Sequence, residues 1–337
     1  MRCALISPYS SGPMRGNIIT VQRIARFLGS AGVATNILPV DRYSLHEMKL
    51  QLAEFKPDLI HGFHAHYCGL TTRELAEFLH VPYVITITGS DLHDSHLRHH
   101  PTTARVMETA QSVICFHNSD AKKLTGFFPN ILDKVTVVPQ GVEVLPVSED
   151  DRFGIPGDSF VLLLPAALRP VKCVEFPIQA LSQLADSDKT VQLIIAGGVI
   201  DENYARFIRT LLDKAPFARW LGEVPHEQMG NLYGRADLVL NCSRSESMPN
   251  SLMEAMAIGR PVLAADIPGN RSLVQQGKNG WIYDGESDFR KLVMEIQEDA
   301  PLREQTGRNA EEYMKKHFSP QDEAIRYLSL YRSLIQA

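Results

Sequence analysis

A chain of 337 residues has room for two domains at about 150 residues each, so it is neither a peptide nor a single small module. Hydrophobic residues make up 44% and charged ones 22%, values of a globular protein that exclude disorder and fibrous repeats. The 34 basic against 39 acidic side chains give a net charge of −5, which supplies no diffuse attraction to nucleic acid or anionic lipid and directs the expectation to a small ligand.

The opening Met1-Arg-Cys-Ala-Leu-Ile-Ser-Pro8 reads as a first strand. It lacks the basic start, long apolar stretch and cleavage site of a secretory signal. No stretch approaches the ~18 to 20 apolar residues of a spanning helix. A cytoplasmic protein without a transmembrane segment is therefore expected. Further strands are predicted at 34–40, 59–61, 83–88, 112–116 and 135–138. Between the first two strands, Ile18, Val21, Ile24, Ala25 and Leu28 follow one helix face, in a helix beginning just after Gly16-Asn17. Residues 146–157, rich in Pro, Gly and charge, form the best linker. The pattern then restarts, with strands near 161–164, 191–196, 219–221, 238–241 and 261–265 and helices such as 174–184 and 202–213. Ser319 and Pro320 open a terminal amphipathic helix. This alternation predicts an α/β protein of two doubly wound Rossmann-like domains facing a ligand cleft. The expected boundaries are 1–147 and 158–318, with 319–337 as the last helix. The five cysteines, Cys3, Cys68, Cys115, Cys173 and Cys242, are scattered and odd in number, and read as reduced core residues.

The richest chemistry lies in 242–263, which reads strand end, loop, helix, turn, strand. Pro249 and Asn250 mark the helix start, and the N–H groups from Asn250 to Leu252 lack partners in the helix, which makes an anion site suited to phosphate. Glu246 lies in the loop and Glu254 one turn into the helix, with seven residues between them. Two carboxylates flanking a seated phosphate suit a nucleotide diphosphate sugar, one accepting from ribose hydroxyls and the other from those of the sugar. An ordinary capped helix with two solvated glutamates accounts for the spacing equally well.

The spacing of Glu246 and Glu254, followed by Ala255-Met-Ala-Ile-Gly-Arg-Pro-Val262 and Ile267-Pro-Gly-Asn270, resembles the retaining GT-B glycosyltransferases of family 4, the group 1 transferases. Leu168-Arg-Pro-Val-Lys172, Ile194-Ile-Ala-Gly-Gly198, Leu221-Gly-Glu-Val-Pro225, Tyr233-Gly-Arg-Ala-Asp237 and Asn279-Gly-Trp-Ile-Tyr283 extend the likeness over most of the chain. The resemblance implies that Glu254 binds the donor ribose and Glu246 the transferred sugar. It places the diphosphate on the backbone of Asn250 and Ser251, within a donor-binding segment that also takes in Ser247, Met248 and Pro249, and puts Val224 near the base. Lys172 would supply positive charge to the departing diphosphate, lowering the barrier without a metal or other cofactor. Many members place an arginine about five residues before this lysine. Ala167 stands there instead, and Arg169, three residues before the lysine, either reaches the phosphate from a shifted position or leaves that role unfilled. Gly16 resembles the glycine-rich loop beside the reacting centre, where a missing side chain lets backbone approach the donor; an ordinary strand-to-helix turn is the simpler alternative. The final helix is expected to cross back onto the first domain.

Thr86-Ile-Thr-Gly-Ser-Asp91 resembles the family's His-Gly-x-Asp segment with Thr88 in place of the histidine. The acceptor-side task then falls to Thr88, Asp91 or His93, or to none of them, with His64 as a further candidate. Asp91 to His100 carries four histidines and two aspartates, which reads as a solvated lid rather than a metal site, since no recognisable ligand spacing is present. The variant motifs, with Arg15-Gly-Asn-Ile-Ile-Thr-Val-Gln-Arg23, are similar to a subgroup holding glycosyltransferase-1-domain proteins and selenosugar synthases. The expected partners are a nucleotide-sugar donor, most often a UDP-sugar, and a small acceptor. A selenosugar or thiosugar synthase using selenophosphate and a non-catalytic nucleotide-sugar binder are the alternatives. A dinucleotide oxidoreductase is disfavoured because no G-x-G-x-x-G follows a strand.

Overall fold

The computed structural model describes residues 1–10, 16–148, 153–187 and 190–336. Residues 149–152 of the expected linker and Arg15 lie outside them. By contacts the chain divides into two units, Met1–Gly141 with Phe318–Ala337, and Val142–His317.

The first unit is built on six parallel strands, β1 (Arg2–Ser7), β2 (Ala34–Pro39), β3 (Leu59–Phe63), β4 (Tyr83–Thr86), β5 (Ser112–Cys115) and β6 (Val135–Val137), in the order β2-β1-β3-β4-β5-β6. β1, β3, β4 and β5 are apolar along most of their length because helices cover both sheet faces. The chain reverses direction across the sheet between β1 and β3, so the loops that follow these two strands diverge and leave a crevice at their C-terminal ends. β4 stops two residues earlier than the sequence suggests. The N–H of Thr88 leaves the ladder and donates to the Asp91 carboxylate at 3.0 Å. β3 runs two residues longer than expected, because Gly62 and Phe63 keep their register with Ile85 and Thr86. The first helix, Gly16–Ser30, begins at Gly16 itself.

The Pro320–Gln336 helix belongs to this first unit and packs on the Gly16–Ser30 helix. Ser319 caps it, its hydroxyl accepting from the Asp322 N–H at 3.2 Å. Tyr327 and Tyr331 enter the core, and Glu323 takes both arms of the Arg23 guanidinium at 3.0 Å, with both side chains buried. Gly141 is required at this junction, since a Cβ there would lie 2.5 Å from Cα of Pro320.

The second unit carries β7 (Phe160–Pro165), β8 (Val191–Ala196), β9 (Ala218–Trp220), β10 (Leu238–Asn241), β11 (Val262–Ala265) and β12 (Trp281–Tyr283) in the order β12-β11-β10-β7-β8-β9. β12 is not among the strands expected from sequence. It is three residues long, and only pairing with β11 defines it. The unit begins near Val142 rather than after residue 147. The reason is packing: a Cβ on Gly230 would meet the Pro146 carbonyl at 2.0 Å, and one on Gly234 would meet Val147 at 2.5 Å. The segment ahead of the linker is thus seated on the His226–Arg235 helix. Here the reversal falls between β7 and β10, which are hydrogen-bonded neighbours.

Candidate functional site

Lys172 leaves the loop after β7 and Glu246 the loop after β10, the two strands that flank the reversal of the second sheet. Such switch points are where doubly wound sheets bind ligands. The two loops are tied together, Arg244 N–H donating to the Val171 carbonyl at 2.9 Å. Lys172 closes a short 3-10 turn, Pro170–Lys172, and Cys173 after it sits at φ 48°, a left-handed conformation uncommon for a non-glycine residue. The turn delivers the Lys172 ammonium to Glu246 Oε1 at 2.5 Å, and the Ser243 hydroxyl donates to the same oxygen at 2.7 Å. Burial opposes the Glu246 carboxylate, but the Lys172 ammonium, the Ser243 hydroxyl and the charge of Arg169 together hold its carboxyl below the ordinary value. Arg169 is exposed and acts on Glu246 through its field. The loop that bears it is locked to the neighbouring loop, Leu168 N–H donating to the Gly198 carbonyl at 2.8 Å.

Glu254 lies on the Asn250–Ala257 helix, buried and turned toward the His226–Arg235 helix. His226 Nε2 is 2.8 Å from its Oε1, and the Tyr233 hydroxyl donates to its Oε2 at 2.8 Å. The two glutamates therefore have separate partners. Burial works against the His226 imidazolium, but Glu254, with Glu143 and Glu227 beyond it, raises its pKa above the ordinary 6.5. Burial and then Glu254 push the Tyr233 phenol well up, so Tyr233 stays a donor. At the helix start, Leu252 N–H already donates to the Pro249 carbonyl at 3.2 Å, which removes it from the set of amides expected for a phosphate. Ser247, Met248 and Pro249 are buried, while Asn250 and Ser251 are half-buried. Val224 is buried beside a cavity of about 270 Å³ that Trp220, Glu223 and Pro225 also line.

Several supporting residues carry no signal in the spacing alone. A Cβ on Gly269 would meet the Glu246 carbonyl at 2.3 Å, so glycine there permits the loop that bears Glu246 its path. Asn270, wholly buried, donates to Asn241 Oδ1 at 3.3 Å and to the Ala265 carbonyl at 2.8 Å. Asn241 Oδ1 also accepts from Ser243 N–H at 3.1 Å. The chain Asn270, Asn241, Ser243, Glu246 and Lys172 is thus continuous. His226 and Tyr233 have a readable cue, being seven residues apart and so on one face of a helix.

In the first unit the expected acceptor-side residues fare differently. Asp91 is fully buried, and its carboxylate accepts from the N–H groups of Ala65, Thr88 and Gly89 at 2.8, 3.0 and 2.9 Å. It shapes the loop. His64 is also buried: its Nδ1 accepts from the N–H groups of His66 and Tyr67 at 3.2 Å, and its Nε2 meets Ser90 Oγ at 2.8 Å. Burial lowers its pKa, against the pull of Asp91. His93 turns away to Asp120 at 3.2 Å and Lys123 at 2.9 Å. Thr88 is half-buried and accepts from Asn17 Nδ2 at 3.3 Å, beside the exposed Gly16. The stretch 91–100 forms two short helical turns in which Asp91, Leu92 and Arg98 are buried while Asp94, Ser95, His96 and His99 are exposed, and Arg98 is stacked over Phe127 at 3.9 Å. Among the described residues no cluster of three metal-ligating side chains occurs, no helix is long and apolar enough to cross a membrane, and all five cysteines are free and buried.

Residues 148–313 match the model of the glycosyl transferases group 1 and residues 4–144 that of glycosyltransferase family 4. The glycosyltransferase 1 domain-containing protein 1 of Xenopus tropicalis is 23% identical over 75% of this chain and 77% of its own. The D-inositol 3-phosphate glycosyltransferase of Paenarthrobacter aurescens is 25% identical over 86% and 78%. Among solved structures, HepE of Anabaena in complex with UDP and glucose superposes with a TM-score of 0.82 at 18% identity, covering 99% of this chain and all of that one. Sucrose-phosphate synthase of Thermosynechococcus elongatus gives 0.84 at 18% identity, covering 99% of each. The chain belongs to the family 4, group 1 glycosyltransferases. It is a glycosyltransferase of GT-B fold.

Proposed function

We propose that this transferase is retaining and moves a sugar from a nucleoside diphosphate sugar, a UDP-sugar, to a small acceptor. The observation that carries the reading is the Lys172–Glu246 pair at the switch point of the second sheet. An ammonium and a carboxylate held together, beside the first turn of a helix, provide a cation for the phosphate and an acceptor for sugar hydroxyls in one place. As the glycosidic bond breaks, charge grows on the diphosphate, and Lys172 with Arg169 meets it without reorganisation. That is the task a divalent cation would otherwise perform, so metal-independent turnover is the expectation. The relatives support the donor class: HepE is described with UDP-glucose and with UDP and glucose. Glu254, with two lone-pair sites left after His226 and Tyr233, suits the ribose diol. The reading of the donor half needs nothing outside Val142–His317. With Asp91 and His64 engaged in their own loop, the leaving phosphate itself is the base that takes the acceptor's proton, on the face of the sugar it departs from.

The test is turnover of UDP-glucose in the presence of EDTA, followed by proton NMR. Release of UDP with α-glucose as the first anomer supports the reading. β-Glucose appearing first overturns retention, and loss of turnover that Mg²⁺ restores overturns metal independence. A thermal-shift panel of UDP-, GDP- and ADP-sugars in which none raises the melting temperature overturns the donor class.

A further inference from the structure

We propose that His226 is a positioning residue for donor binding: with Tyr233 it fixes the plane of the Glu254 carboxylate, and its imidazolium offsets the Glu254 charge beside the diphosphate. The proposal rests on the donor reading above.

His226 and Tyr233 stand two turns apart on one face of the His226–Arg235 helix, and each holds a different oxygen of Glu254 at 2.8 Å. A carboxylate has about four lone-pair sites, and two donors on opposite oxygens leave one free on each. That pattern is what two vicinal hydroxyls require. A glutamate without this clamp would have to order its side chain on binding, at a cost in rotamer entropy. Tyr233 is the permanent donor, because burial and Glu254 keep its phenol protonated.

His226 is the adjustable one. The groups facing it are all carboxyl or phenol: Glu254 from the Asn250–Ala257 helix, Glu227 and Tyr233 from its own helix, and Glu143 from the segment that enters the unit. Burial disfavours the charged ring, and the carboxylates more than compensate. Below the raised pKa the pair His226–Glu254 is neutral, and the diphosphate meets no net negative charge there. Above it the imidazole still donates through Nε2–H, but the Glu254 charge is uncompensated and repels the diphosphate. Donor affinity therefore falls as pH rises through a value above 6.5. A nucleoside diphosphate sugar has no ionisation of its own in that range, and His226 and His317 are the histidines of residues 142–317.

The experiment is calorimetric binding of UDP-glucose, GDP-glucose and ADP-glucose from pH 5.5 to 8.5, with the nucleotide sugar that binds the wild type then used for His226→Gln and His226→Ala. The wild type should lose about tenfold in affinity across its step, the size of a one-unit coupling. His226→Gln, whose amide N–H reaches the place of Nε2–H, should show no step and hold the wild-type high-pH affinity throughout. His226→Ala should be equally flat and about fivefold weaker than His226→Gln, with kcat for UDP-glucose within twofold of wild type in both. A step that persists in His226→Gln overturns the clamp and leaves the donor reading standing. Failure of the wild type to bind any of the three nucleotide sugars overturns both.

Discussion

The two units share a doubly wound plan, yet they hold key ionisable side chains in different ways. In Met1–Gly141 with the terminal helix, those groups are enclosed and bonded to the unit's own framework. Asp91 holds three backbone N–H groups. His61 lies between the Tyr331 hydroxyl at 2.6 Å and Thr86 Oγ1 at 2.7 Å, stacked on Phe63, and Arg23 is locked to Glu323. In Val142–His317 the Lys172–Glu246 pair instead meets across elements and keeps partial access to solvent, Lys172 at 17% and Glu246 at 14%. A buried polar group with every bond made is a strut. A partly open ion pair keeps lone pairs and charge for a ligand. Topology locates the crevice, and burial decides which of its residues can act there.

The strongest way to break this contrast is to open a strut in the first unit. Glu323→Ala leaves Arg23 buried and unpaired, which costs about 3–5 kcal/mol. Hydrogen exchange should then show the Pro320–Gln336 helix losing protection while the Asn250–Ala257 helix of the other unit keeps its own. Equal loss in both would mean that the ion pair does not act locally.

Lys172→Met tests the other side. Removing a preplaced cation from developing phosphate charge should lower donor turnover about 10²- to 10³-fold with little change in melting temperature. The Glu246 carboxyl, now without the ammonium that held it down, should titrate at higher pH, and the acid limb of residual activity should move up with it. An unmoved limb would show that Lys172 does not set the state of Glu246.

Much of this was legible in the sequence because it is periodic or local. Parallel strands buried on both faces appear as apolar runs, and eleven of the twelve lie where those runs place them. Pro249 and Ser319 mark helix starts by cap chemistry, and the spacing of Glu246 and Glu254 is visible as a count. What could not be read is contact between residues distant in the chain. Nothing in the order of residues says that His226 meets Glu254, that Gly269 lies under the Glu246 carbonyl, or that Asn270 and Asn241 form a buried amide pair. The surroundings of Asp91, His64 and His93 were hidden for the same reason. Residue type and a strand-end position suggested reactivity, while the bonds of Asp91 and His64 within their own loops, and the approach of His93 to Asp120 and Lys123, are contacts that spacing does not show.

His61 sharpens the contrast through pH. Burial drives its pKa down to about 3, so the folded chain keeps a neutral ring where the unfolded chain, titrating near 6.5, takes up a proton. Stability from this residue is therefore intact above about pH 6.5 and falls as pH drops, by about 1.4 kcal/mol per unit until the folded pKa is reached. In urea titrations across that range, His61→Gln should flatten the dependence by one proton, since its amide can still meet Tyr331 and Thr86 but does not ionise. Should the two proteins lose stability in parallel as acid is added, His61 is not the enclosed neutral strut that the geometry makes it. The corresponding variant in the second unit, His226→Gln, should alter the pH dependence of ligand affinity instead. The same kind of ring then reports on folding in one unit and on binding in the other, according to whether its partners are tyrosine and threonine hydroxyls or the Glu254 carboxylate.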